Sequence, residues 1–199
     1  MVTAIIFDWG GVFTSNASLG QFCTAYAAKH GIAAAPFTEK LLAIWHEARV
    51  GAVDSRIFWK ELSELAGVPE EEFHRDIDDF LGYNPAMLTF VQERLYGKYK
   101  LGIISNHIES WFAPHIQEKA LEGIFDAVIT SYTSKSAKPD LKIYQDALQG
   151  LQVPAEQCVF IDDLEKNLPP ARALGMQTIL FKNLEQLKIE LSKHGVQWS

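Results

Sequence analysis

The stretch Val2-Thr3-Ala4-Ile5-Ile6-Phe7-Asp8-Trp9-Gly10-Gly11 decides the fold. Its first six residues are a short, largely apolar run with no polar face, the pattern of a strand buried on both sides. Asp8 ends the run, and Gly10-Gly11 supply a turn. Four runs of the same kind follow: Leu101-Gly102-Ile103-Ile104, Ala127-Val128-Ile129-Thr130, Cys158-Val159-Phe160-Ile161 and Thr178-Ile179-Leu180-Phe181. Strands without a polar face suit a parallel sheet covered by helices. Helical patterns separate them. Asn84-Pro85 reads as an N-cap with proline in the first turn, and Leu88, Val91 and Leu95 then share a face. Asp140 to Leu148 carries Ile143, Tyr144 and Ala147, while Asn183 precedes Leu184, Leu187 and Leu191 before Gly195. The alternation predicts an α/β chain with a doubly wound, Rossmann-like parallel sheet.

From Ser15 to Gly82 the alternation stops and only helical periodicity remains. Leu19, Phe22, Cys23 and Tyr26 share one face, as do Leu41, Ile44, Trp45 and Ala48. Phe58, Leu62, Leu65 and Ala66 follow, then Phe73, Ile77, Phe80 and Leu81 after Pro69. Four helices make an insertion far longer than an ordinary βα connection. The expected domains are a core of residues 1–14 and 83–199 and an inserted four-helix cap of residues 15–82. Open α/β sheets bind ligands beyond the carboxyl ends of their strands, so the cap is expected there as a lid.

A chain of 199 residues holds one domain with a small insertion. Its 48% apolar content rules out a disordered chain. A formal net charge of −7 argues against a nucleic-acid partner, since phosphate backbones need clustered Lys and Arg. Cys23 and Cys158 are too few for a disulfide framework or a zinc site and read as reduced, buried thiols. The opening apolar run is cut by Asp8 before it reaches the length of a signal peptide or a membrane span. The expectation is a cytoplasmic protein with no membrane partner.

Polar residues stand where strands end or helices begin: Asp8, then Ser105-Asn106, then Lys138-Pro139, then Asp162-Asp163. In a parallel sheet these places converge on one edge. Three carboxylates in one cleft, Asp8, Asp162 and Asp163, repel one another unless a cation neutralises them. An all-oxygen donor set suits Mg²⁺. Lys138 adds a point positive charge, and Ser105 with nearby backbone N–H groups adds neutral donors. That mixture suits a phosphate dianion. A carboxylate facing the phosphorus in line would be the nucleophile of an aspartyl-phosphate mechanism, and Asp8 is the best placed. Each feature alone has a plainer reading as a turn residue, a helix start or an acid near a helix N-terminus. Their ordered conjunction argues for a site.

F-D-W-G-G-V at Phe7–Val12, I-I-S-N at Ile103–Asn106, A-K-P-D at Ala137–Asp140 and F-I-D-D-L-E-K-N at Phe160–Asn167 resemble the four motifs of the haloacid dehalogenase-like (HAD) hydrolases. The resemblance spans the chain. It is closest to phosphatases with a helical cap after the first motif, and Phe160 to Leu180 is similar to the phosphatase domain of soluble epoxide hydrolases and to bacterial sugar-phosphate phosphatases. It implies a Mg²⁺-dependent phosphatase of a small phosphorylated metabolite. Asp8 would be nucleophile and metal ligand, the Gly10 carbonyl a backbone metal ligand, Asp163 a direct ligand and Asp162 a ligand through water. Ser105, Asn106 and Lys138 would hold the phosphate, with Lys138 also serving catalysis. One position departs from the family pattern: Gly10 stands where these phosphatases usually carry a general acid–base Asp, a function worth about 10²–10⁴-fold.

The cap is expected to choose the substrate, with Trp45, His46 and Arg49 as specificity candidates, while Trp45 and Trp59 both read more readily as cap core than as sugar platforms. His107, next to Ser105-Asn106, is expected to be an ordinary surface histidine or a substitute proton donor. Three other functions stay open. A non-catalytic phospho-ligand-binding protein fits if Gly10 marks lost chemistry. A metal-independent 2-haloacid dehalogenase also lacks that Asp, but Asp162-Asp163 would then stay unneutralised beside a nucleophile meant for a carboxylate substrate. Transfer of the phosphoryl group to another acceptor, such as a sugar, is a third. An exposed cap patch would allow a homodimer.

Overall fold

In the computed structural model, which describes residues 1–118, 121 and 123–198, the opening run forms β1 (Ala4–Phe7) at the centre of a five-stranded sheet. The other strands are β2 (Lys100–Ser105), β3 (Ala127–Thr130), β4 (Cys158–Asp162) and β5 (Gln177–Leu180). All pairings are parallel, in the order β3-β2-β1-β4-β5. In chain order the helices are α1 (Leu19–His30), α2 (Ala34–Ala48), α3 (Arg56–Ala66), α4 (Glu70–Leu81), α5 (Pro85–Phe90), α6 (Glu109–Glu118), α7 (Ser131–Ser134), α8 (Leu141–Leu151), α9 (Leu168–Ala173) and α10 (Leu184–Lys193).

Strand alternation sends side chains to two separate cores. Ile5, Phe7, Val159 and Ile161 pack with Met87 and Phe90 of α5, Phe112 of α6, and Leu187 and Leu191 of α10. Ala4, Ile6, Cys158 and Phe160 face the other way, onto Ile143, Tyr144 and Ala147 of α8 and Leu168 and Ala171 of α9. Helices therefore cover both faces, as strands with no polar side require. Helix ends carry the chemistry read from the sequence: the Asn84 side chain accepts from the Met87 N–H at the start of α5, and Asn183 accepts from Gln186 at the start of α10. After Phe90, α5 widens into a π turn over Val91–Leu95.

Helices α1 to α4 surround a third core built on Phe22, Tyr26, Phe37, Leu41, Phe58, Leu62, Phe73 and Ile77. Two residues from beyond the insertion join it. Ile108 and Trp111, at the start of α6, are buried in this cluster, and Trp111 donates its indole N–H to Asp78 Oδ1 of α4 at 2.7 Å. Trp59 of α3 donates to Ser110 Oγ at 2.9 Å, and the Ser110 N–H donates to Ser55 Oγ at 3.1 Å. Trp59 is thus a core residue. Leu65, grouped with the buried face of α3 by its spacing, is 49% exposed instead. Helix α6 has no counterpart in the sequence reading.

Candidate active site

The register of the sheet sets the floor. Phe7 pairs with Ile161, so Asp8 lies beside Asp162; Phe7 also pairs with Ile103, which puts Ser105 one step beyond Asp8 on the other flank. The Asp8 N–H extends the ladder by donating to Ile161 O at 2.8 Å. Side-chain oxygens of Asp8, Asp162 and Asp163 come within 4.8 Å of one another. After Asp8 the chain turns sharply, with Val12 and Phe13 N–H groups both donating to Trp9 O. Gly11 sits at φ 71°, and a Cβ there would overlap the Asp163 carboxylate, so glycine is needed twice over. Gly10 has no such constraint, although a Cβ at that position would press on Ala17 at 3.3 Å.

Lys138 ties the floor together. Its side chain is 1% exposed, and its ammonium lies 2.7 Å from both Asp8 Oδ1 and Asp162 Oδ2. Burial pulls the ammonium pKa down, but the two carboxylates outweigh that and hold it above the ordinary lysine value. Asn106 fixes the lysine backbone from both ends: its Oδ1 accepts the Lys138 N–H at 2.8 Å and its Nδ2 donates to Lys138 O at 3.0 Å. The carboxamide expected to hold phosphate thus positions Lys138, and Asn106 also lines the cleft. Ser105, at the end of β2, is buried and lines the cleft beside them.

Asp162 does not reach the cavity. It is fully buried, and besides Lys138 it accepts from the Leu164 N–H at 2.9 Å and from Asn167 Nδ2 at 2.9 and 3.0 Å. The sequence reading gave Asn167 no role, although its place five residues after Asp162 was visible. A second unassigned donor, the Trp9 N–H, reaches Asp8 Oδ1 at 2.6 Å.

Three carboxylates against one ammonium leave two negative charges in excess, and the pKa directions register it. Burial and Asp162 push Asp8 well above the usual carboxylate range despite Lys138. Asp163 is pushed up to about 6 by burial and by Asp162. Its Oδ1 is buried and has no hydrogen-bond partner among the described residues. Surplus charge, an orphaned carboxylate oxygen and an all-oxygen donor set together fit one hard divalent cation such as Mg²⁺.

Above the floor lies a cavity of about 360 Å³ lined by Asp8, Gly10, Ser105, Lys138 and Asp163 from the sheet edge. Its roof comes from the insertion, including Leu19 of α1, Leu81 of α4 and one stripe of α2: Leu42, Trp45, His46 and the capping residue Arg49. Trp45 packs edge-on against Phe58, His107 and Trp111, so it is both core and wall. The His107 ring sits among Trp45, Trp111 and Phe112, and burial drives its pKa down to about 3. The ring is therefore neutral rather than imidazolium at neutral pH, and it lacks the acidic proton that an imidazolium would offer a leaving group.

Comparisons with known proteins agree with this geometry. A family model described as haloacid dehalogenase-like hydrolase matches residues 2–175. Bifunctional epoxide hydrolase 2 of Sus scrofa is 42% identical over 74 residues, covering 37% of this chain and 13% of that protein. The chain thus spans only a small part of the first curated relatives it matches. A phosphorylated carbohydrates phosphatase of Thermotoga maritima is 25% identical over 189 residues, covering 88% of this chain and 83% of the relative. A HAD family enzyme from Bacteroides thetaiotaomicron, solved in complex with magnesium and inorganic phosphate, superposes with a TM-score of 0.75 at 20% identity, covering 94% of this chain and 99% of that one. At that identity the likeness speaks for the fold.

Proposed function

The chain belongs to the haloacid dehalogenase-like hydrolase family, and from its cleft we propose a Mg²⁺-dependent phosphatase that cleaves a small phosphorylated metabolite through an aspartyl-phosphate on Asp8. One observation carries the reading: Asp8 and Asp163 meet at the base of a roofed cavity, with Asp162 buried behind them and Lys138 paired to Asp8 and Asp162. The cavity volume of about 360 Å³ suits a small ligand. The named phosphatase of Thermotoga maritima, aligned over most of its length, supports the same reaction class.

Asp8, the Gly10 carbonyl and Asp163 would hold Mg²⁺, with Asp162 behind them through water. When bound, the ion neutralises the carboxylates and polarises the phosphoryl oxygens. An Asp8 oxygen attacks phosphorus, the ester P–O bond breaks, and the leaving alkoxide takes its proton from water, because Gly10 offers none. Lys138 holds the charge that develops on the phosphoryl oxygens, and Ser105 donates its hydroxyl to them. Asn106 acts through Lys138. Water then attacks the phosphorus, releasing phosphate and restoring Asp8. Residues 15–82 serve as a cap on a core of 1–14 and 83–199, with Trp45, His46 and Arg49 contacting the part of the substrate that varies. Two buried, unlinked cysteines suit a reducing compartment, and we assign the protein to the cytoplasm on that ground.

Phosphate release from an aryl phosphate tests this. Turnover is expected with Mg²⁺, lost on chelation, and reduced at least about 10³-fold by Asp8→Asn with an unchanged circular dichroism spectrum. Undiminished turnover in that variant overturns the assignment. Gly10 favours a second reading, a protein that binds phosphate esters without cleaving them. An adduct of Asp8 with a phosphate-mimicking metal fluoride argues for the enzyme; tight ester binding with no turnover argues for the binder.

A further inference from the structure

Two cations at the mouth of the cleft have no ion pair within 4 Å. Arg49, at the carboxyl end of α2, and Lys166, in the turn after Asp163, both line the cavity, and neither takes part in a salt bridge among the described residues. The Arg49 Nε is cut off from solvent and has no hydrogen-bond partner among the described residues. His46, one turn before Arg49 on the same stripe, lines the cavity beside them. A buried guanidinium N–H without an acceptor is an unusual thing for a fold to keep, since burying a donor unpaired costs stability.

The charges around this group are all identifiable. Arg49 and Lys166 both act on His46, Asp140 at the start of α8 attracts Arg49 from beyond ion-pair distance, and Lys166 is felt by Asp163 on the floor. Asp8 and Asp163 are committed to the base of the cavity by the reading above. The cleft is therefore polarised, with acids at its floor and basic groups at its mouth. The roof keeps Arg49 on the cavity side because Leu42, Trp45, His46 and Arg49 form one helical stripe, while Phe37, Leu41, Ile44 and Ala48 pack into the cap core.

We propose that Arg49, with His46 and Lys166, forms a second anion site, so that the ester taken by this cleft carries a further negative group, a carboxylate or a second phosphate, at the end remote from the phosphoryl group that is cleaved. This rests on the phosphatase reading and adds the chemical class of the substrate. Arginine is the residue suited to it, because its planar fork pairs with carboxylate or phosphate oxygens two at a time.

The test uses matched esters of two to six carbons: plain alkyl phosphates, the same phosphates ending in a carboxylate, and the corresponding bisphosphates. The wild-type protein with Mg²⁺ is expected to show kcat/KM about 10–100-fold higher for one doubly anionic member than for its alkyl twin. The carboxylate and bisphosphate arms tell the two groups apart. Arg49→Gln is expected to cut kcat/KM for the doubly anionic ester about 10–100-fold more than for the twin, and Arg49→Lys to recover part of the difference. Equal rates within every pair, or an equal loss on both members, overturn the proposal while leaving the phosphatase reading intact. If no ester is cleaved, that reading fails instead, and calorimetry on the same pairs decides the anion site. Tighter binding of the doubly charged member that Arg49→Gln abolishes upholds it, and indifference to the second charge overturns it.

Discussion

Asn106 and His107 stand side by side after β2 and illustrate how far a residue's use depends on what surrounds it. Asn106 spends both ends of its carboxamide on the backbone of Lys138, 32 residues away. Asn106→Ala is expected to lower kcat about 10–100-fold through displacement of the ammonium, with a smaller change in KM; equal activity would show that Lys138 holds its place unaided. His107 makes a different prediction. Its folded pKa of about 3 lies below the unfolded value of 6.5, so the unfolded chain binds the proton more tightly. The stability it contributes is complete above pH 6.5 and is lost as pH falls toward 3. Urea unfolding at pH 7 and pH 5 is expected to show the wild type losing about 2 kcal/mol more than His107→Phe over that interval. Parallel losses would mean that the ring is already charged in the fold. The sequence revealed Asp8, Ser105, Lys138 and Asp163 because each stands where a strand or helix must begin or end. It concealed the work of Asn106, which depends on where a distant loop returns.

Among the elements, α6 escaped the sequence reading for a physical reason. Phe112 belongs to the core beneath the sheet and the adjacent Trp111 to the core of the insertion, so no single apolar stripe runs along the helix. Pro114 lies within it, where a proline normally argues against a helix. Helices α1 to α4 each face one core and were legible, with Leu65 the exception. Trp111→Ala removes a side chain 1% exposed together with the hydrogen bond to Asp78. The expected loss is about 3–5 kcal/mol in chemical denaturation, accompanied by faster proteolytic cutting in residues 15–82. A loss below about 1 kcal/mol would show that the insertion is held by its own core alone.

At the scale of the whole molecule α6 joins the cluster of the insertion to one of the two clusters flanking the sheet, the strands themselves carry the other, and the expected thermal unfolding is one transition. Far-ultraviolet circular dichroism and tryptophan fluorescence should coincide; two separated transitions would show independent halves. Mg²⁺ at 100 times its dissociation constant should add about 2.7 kcal/mol, an increment that Asp163→Asn removes. The parallel α/β sheet covered by helices, and the helical character of residues 15–82, were readable from periodicity. The joining of the insertion to the sheet was not, because it rests on two residues of a helix with divided allegiance. Only Asn106 and His107 separate Ser105, at the floor, from Ile108, which is embedded in the roof. The ceiling at Ile108 therefore lies only three peptide units from the Ser105 hydroxyl, and one short piece of backbone ties the enclosure of the cavity to its base.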